Sequence, residues 1–311
     1  MINQPYKQFK QSRSILHPAL QFFVFLLLFI GVLIVGNLIG VGVASALYGL
    51  NTVAAIAGGK LTSPNAANVL WILQTAGMTL PIFVAPVFFA VVIVREPRDY
   101  IKPTFNFSWI LMLLVFAIMF MSNPAIEFLS NLNEKMVLPP WLKWMRDSED
   151  SAQKLMDVML NMKTIWSLMF DVLFIGLVTA IVEEFMFRGV LQTIFMRWTK
   201  STHAAIWITA ILFSAFHMEF FGFLPRLLLG VLFGYFVAWS GSIWPAVWAH
   251  FLNNAAAVIA TYLFQHKVIK TDPDNQQMFT ASGYVISFII MLFLLFIYRR
   301  TAFEKKQIPE Y

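Results

Sequence analysis

Residues 174–191 read FIGLVTAIVEEFMFRGVL, an apolar run interrupted by Glu183, Glu184 and Arg188. At 1.5 Å per residue such a run is about 27 Å long as a helix, close to the thickness of a bilayer's hydrocarbon core. Ionisable side chains are costly at that depth, so they face a protein interior or a water-filled cavity and usually mark function. The stretch predicts a membrane-spanning helix that carries a chemical site within its length.

Composition points the same way. The chain has 311 residues, 59% hydrophobic and only 12% charged, with a mean hydropathy of +0.72. Soluble domains carry about 25% charged residues. Long continuous apolar stretches, rather than alternating ones, select helices over a barrel. The expected fold is an all-α polytopic transmembrane bundle, a single integral membrane domain over residues 1–311. The absence of cysteine excludes disulfides, thiol catalysis and thiolate metal sites. The net charge of +6 is what Lys and Arg flanking the spans on a cytoplasmic side would give. No basic run interleaved with aromatics suggests nucleic acid.

Eight spans fit the hydropathy, at roughly 20–47, 68–94, 108–129, 165–195, 204–218, 225–239, 243–264 and 283–298. The first imitates a signal peptide behind Lys7, Lys10 and Arg13, but it far exceeds the 7–15 residues of a signal peptide's apolar region. It reads as an uncleaved span. Placing both termini in the cytoplasm leaves the inner segments richer in Lys and Arg than the outer ones, the usual bias. A bacterial inner membrane is expected from the compact architecture and the lack of organelle signals. Outside the bilayer, the sizeable segment is 130–164, where Leu155, Val158, Met159 and Met162 recur at helical spacing. It reads as a helix on the interface or against the bundle, capped at Ser148 or Ser151. Gly36–Gly40 and Gly230–Gly234 have the GxxxG spacing that lets helices approach closely.

Within span four, Glu184 and Arg188 are i,i+4 neighbours in the favourable order for an ion pair, while Glu183 points about 100° away. The pair could simply fix helix packing; Glu183, left without a partner, is harder to explain that way. His217 closes span five, one turn after Phe213. His250 and Asn254 lie one turn apart on span seven, with Asn253 alongside. Measured from the inner boundaries, Glu183, His217 and Asn254 fall at about 18, 20 and 16 Å, and His250 at about 13 Å. Three spans thus place polar groups in one slab, as a shared cavity requires.

The order and spacing of these residues resemble the CPBP family, the CAAX proteases and bacteriocin-processing enzymes also called the Abi family. Its motifs EExxxR, FxxxH and HxxxN are matched by Glu183-Glu184 with Arg188, Phe213 with His217, and His250 with Asn254. Each motif alone is weak, but three on successive apolar spans are specific. The likeness covers residues 165–264, which would form a catalytic core of four helices. It implies an intramembrane endopeptidase in which Glu183 activates water with help from His217. His250 and Asn254 would form the oxyanion hole, and Glu184 and Arg188 would hold the first motif in place. No cofactor is implied, and the expected partners are membrane lipids and a hydrophobic or lipid-modified peptide. Alternatives are a zinc enzyme with Glu183, His217 and His250 as ligands, a proton-coupled transporter, and a non-catalytic scaffold or immunity protein.

Overall fold

The computed structural model describes residues 16–137, 139–270 and 279–304. The basic residues Lys7, Lys10, Arg13, Lys305 and Lys306 lie outside them. Among the described residues all regular structure is helical. Helix α1 (Pro18–Tyr48) starts at a proline, which forfeits nothing there because a first-turn N–H has no intrahelical partner. Gly49, at φ 84°, turns the chain into the short α2 (Leu50–Ala57). There follow α3 (Ala66–Ile93), the one-turn α4 (Pro97–Ile101), α5 (Ile110–Glu134), α6 (Lys143–Met159) and α7 (Ile165–Thr199). The last four are α8 (Thr202–Phe216), α9 (Phe223–Ser240), α10 (Trp244–Gln265) and α11 (Ala281–Glu304).

Seven of these are long and apolar enough to cross a membrane: α1, α3, α5, α7, α9, α10 and α11. This is an integral membrane protein. The expected fifth span is α8, whose 15 residues reach about 22 Å, short of the roughly 30 Å of a hydrocarbon core. The loop after it therefore ends at membrane depth, where irregular backbone persists only if protein satisfies its polar groups. Asn133 of α5 does so from both sides, its Nδ2 donating to the Phe220 carbonyl at 2.8 Å and its Oδ1 accepting from the Leu224 amide at 2.8 Å. Exposed tryptophans gird the two ends, Trp109 and Trp198 at one and Trp141, Trp144 and Trp166 at the other. Amphipathic rings settle at membrane–water interfaces.

Two apolar cores flank α7. Phe25, Phe29, Phe89, Val182, Met186, Phe187 and their neighbours join α1, α3, α7 and α8. Leu111, Phe233, Phe236, Ala249, Tyr298 and others join α5, α9, α10 and α11, with Ala180 of α7 reaching in. Glu183 and Glu184 sit where α7 turns from one core to the other. The helix is not regular there. Residues Val172–Val178 and Phe185–Leu191 form π-helical stretches on either side of the regular turn Thr179–Glu184. Such insertions are frequent at functional sites, and hydropathy carries no signal for them.

The extramembrane helix α6 packs against the bundle. Leu155, Val158 and Met159 cover the small core of Val53, Ile56 and Val69 on α1–α3. Two of its features differ from what its sequence predicts. The helix begins at Lys143 behind the tight turn Pro140–Leu142, so neither Ser148 nor Ser151 caps it. Ser151 instead bonds the Asp147 carbonyl within the helix. Met162 lies beyond the helix end, its amide held by the Gln265 side chain.

Candidate active site

The helices α7, α8, α9 and α10 each contribute to one buried polar cluster. Its floor is the ion pair between Arg188 Nη1 and Glu184 Oε1 at 2.8 Å, with both side chains fully buried. Arg188 also donates from Nη2 to the Gly230 carbonyl at 3.2 Å. One turn on, Gln192 repeats the contact with the Gly234 carbonyl, so the GxxxG of α9 presents two backbone acceptors to α7. Its glycines are needed for this approach. A Cβ on Gly230 would lie 3.1 Å from the Ala210 Cα, and one on Gly234 would lie 2.8 Å from an Ile206 methyl. The guanidinium carbon stands 4.3 Å from the Phe213 ring centre and 5.2 Å from that of Phe233, within cation–π range.

His250 of α10 shares the same carboxylate, its Nδ1 lying 3.0 Å from Glu184 Oε1. A carboxylate beside an arginine is an acceptor, so His250 donates from Nδ1. The ring stacks on Phe233 at 5.2 Å. His217, just past the end of α8, directs Nδ1 to the Phe213 carbonyl at 2.8 Å and is again the donor. Both imidazoles are thereby oriented with Nε2 facing the same atom. Glu183 Oε2 lies 3.9 Å from His217 Nε2 and 3.9 Å from His250 Nε2. These gaps exceed hydrogen-bond length, and Glu183 Oε2 is a buried acceptor with no hydrogen bond.

Phe213 is central to the arrangement, although the motif gives it only as a letter. Its face lies against Arg188, its ring stands nearly perpendicular to both histidine rings, and its carbonyl orients His217. Asn254 is placed differently from the other residues read from the sequence. Its Nδ2 donates 3.1 Å to the Ile175 carbonyl, and its Oδ1 accepts from Asn253. The two asparagines therefore act as a couple on the first π-helical stretch of α7. An amide nitrogen has two hydrogens, so Asn254 keeps one beyond the one given to Ile175. Glu219 and Arg226 pair with each other in the loop and first turn of α9. Beside them Arg146 of α6 lies 3.4 Å over the Phe221 ring, and Glu149 accepts from the Phe221 amide. Burial raises the Glu149 carboxyl above its ordinary value.

Glu183, His217 and His250 converge, but no group of three His, Asp or Glu among the described residues has the spacing to hold a metal ion.

A curated relative, the uncharacterised protein YpbD of Bacillus subtilis (strain 168), is 30% identical over 88 residues. The match takes in 27% of this chain and spans less than half, 42%, of that relative. No solved structure matches. Residues 165–256, which contain all three motifs, match the family described as "Type II CAAX prenyl endopeptidase Rce1-like", a match consistent with the CPBP family.

Proposed function

We propose that this chain is an intramembrane endopeptidase of the CAAX type that cleaves a hydrophobic or lipid-modified peptide with a glutamate-activated water. The observation that carries the reading is Glu183 Oε2, buried, without a hydrogen bond and equidistant from two imidazole nitrogens. A separation of 3.9 Å is too long for direct bonding and suits one bridging water. That water would give a proton to Glu183 while its oxygen attacks the peptide carbon, with His217 Nε2 as the second acceptor. Glu183 would then pass the proton to the leaving amine as the carbon–nitrogen bond breaks.

The oxyanion needs donors. Because His250 Nδ1 already donates to Glu184, its Nε2 can donate only when the ring carries both protons. Asn254 would supply its remaining amide hydrogen from one turn further along α10. Removing either donor should lower turnover about 10²–10³-fold.

A zinc reading has one observation in its favour. Both Nδ1 atoms are held by acceptors, as partners hold ligating histidines, and this leaves both Nε2 atoms turned to Glu183. The metal-free reading is preferred because the resemblance implies no metal and the chain has no HExxH pair. The orientation proposed is cytoplasmic termini in a bacterial inner membrane. The test is cleavage of quenched prenylated and hydrophobic peptides by detergent-purified protein, beside Glu183→Gln and with a chelator. Cleavage that needs Glu183 and survives chelation is expected; cleavage lost on chelation would transfer the site to zinc.

A further inference from the structure

Five acidic side chains are buried among the described residues: Glu96, Glu127, Asp171, Glu183 and Glu184. Four of them are engaged. Glu96 pairs with Arg197, Glu127 accepts from the Tyr284 hydroxyl and the Phe279 amide, and Glu183 and Glu184 belong to the site above. Asp171 is only 2% exposed, yet no cation and no hydrogen-bond donor among the described residues meets it. Its oxygens, unlike Glu183 Oε2, are not sealed from the surface. A carboxylate held at membrane depth without a partner is costly, and packing alone gives no return for it.

The register of α7 adds a direction. Asp171 precedes Glu183 by twelve positions, which on a regular helix would set the two about 120° apart. The π-helical stretch Val172–Val178 lies between them. A π turn takes up one extra residue, leaving eleven, about three full turns. Asp171 then falls on the face of Glu183, about 16 Å away toward the end of the bundle covered by α6. The Asn254–Ile175 contact lies between the two acids on that helix. An extended peptide covers about 16 Å in five residues.

We infer that Asp171 is a specificity-determining residue that receives a cationic group of the substrate, a lysine or arginine side chain or a free amine, about five residues from the scissile bond. The inference rests on the peptidase reading, and it deepens it. A cation brought beside it would give the carboxylate the partner the fold withholds. The apolar residues between would line the stretch of α7 that runs to Glu183.

The experiment walks a single lysine along a neutral apolar peptide and compares kcat/KM with that of the glutamine peptide at each position. Wild-type protein should favour lysine about tenfold or more at one position near five residues from the bond, as a charged hydrogen bond would give. The gain should sit in KM. In Asp171→Asn the lysine-to-glutamine ratio should fall to near one, and Asp171→Lys should favour glutamate there instead. A purely structural Asp171 would slow every peptide alike and leave the ratio untouched, which would overturn the inference. If Asp171→Asn does not fold, Asp171→Ser takes its place, with Asp171→Glu keeping the preference. Binding of the same peptides to Glu183→Gln, followed by fluorescence anisotropy, separates the two readings. Lysine-dependent binding without any cleavage by wild type would sink the peptidase and keep the subsite, whereas lysine-indifferent binding would sink the subsite alone.

Discussion

Two networks of buried charge lie on α7, and their completeness differs. Toward the end of the helix, Arg197 pairs with Glu96 at 2.7 Å and donates to the Tyr100 hydroxyl at 3.0 Å. That hydroxyl in turn donates to Gln21 of α1. Nearby Lys102 donates to Thr193 and to the Tyr100 carbonyl, and its own carbonyl accepts from Ile243. This network ties α1, α4, α7 and the start of α10 together. Some ten residues earlier, the network around Glu184 leaves Glu183 Oε2 without a hydrogen bond among the described residues and 3.9 Å from either imidazole, whereas Glu96 Oε2 is held at 2.7 Å by Arg197. Burial of charge does not by itself separate a brace from a reaction centre. The separating feature is an orphaned acceptor with oriented neighbours, because a completed network offers nothing to a substrate.

The sharpest way to break this contrast is to neutralise one acid in each network. Glu183→Gln should abolish peptide turnover, by about 10³-fold or more, with little change in melting temperature. Glu96→Ala should do the reverse, costing about 1–3 kcal/mol of stability because Arg197 loses its partner, with turnover per folded molecule preserved. Thermal unfolding and kcat measured on the same preparations check both, and a swap of these outcomes would invert the assignment.

Lys102 sharpens the comparison through pH. Burial, with Arg197 as a lesser cause, lowers its ammonium from the ordinary 10.5 to about 7. Between those values the unfolded chain holds more protons than the folded one, so stability should rise as pH goes from about 7 toward 10.5. Lys102→Met should flatten that rise and stabilise the protein at pH 7, which melting curves across the range will read. The smallest effect is expected at Asn133. Replacing it by alanine removes two hydrogen bonds from the 220–224 backbone, about 1–2 kcal/mol, and loosens the loop that follows His217. A modest fall in kcat with KM nearly unchanged would mark that loop as positioning His217.

Much of this was legible in the sequence. Each of the eight expected spans corresponds to a helix, because continuous apolar runs of bilayer length admit few other structures. The three motifs pointed to one cluster, and Glu183, Glu184, Arg188, His217 and His250 are found within it. Other features were not. Asp171 sits in an apolar run as plainly as Glu183 does, but no motif drew attention to it. Phe213 reads as one more buried aromatic until its carbonyl is seen to orient His217. Asn254 lies one turn from His250 on the same helix as its spacing implied, but the bond of its amide to the Ile175 carbonyl was not legible.

The sequence by itself determined that the chain is helical, spans a membrane and concentrates its buried charge on α7, because hydropathy, length and the cost of charge in hydrocarbon are local properties. Only the tertiary structure decided which nitrogen of each histidine faces Glu183, which acid Arg188 neutralises, and that Asp171 meets no partner among the described residues. Those outcomes depend on helix register, on π-helical insertions and on carbonyls lent by Gly230 and Phe213, none of which residue types alone specify.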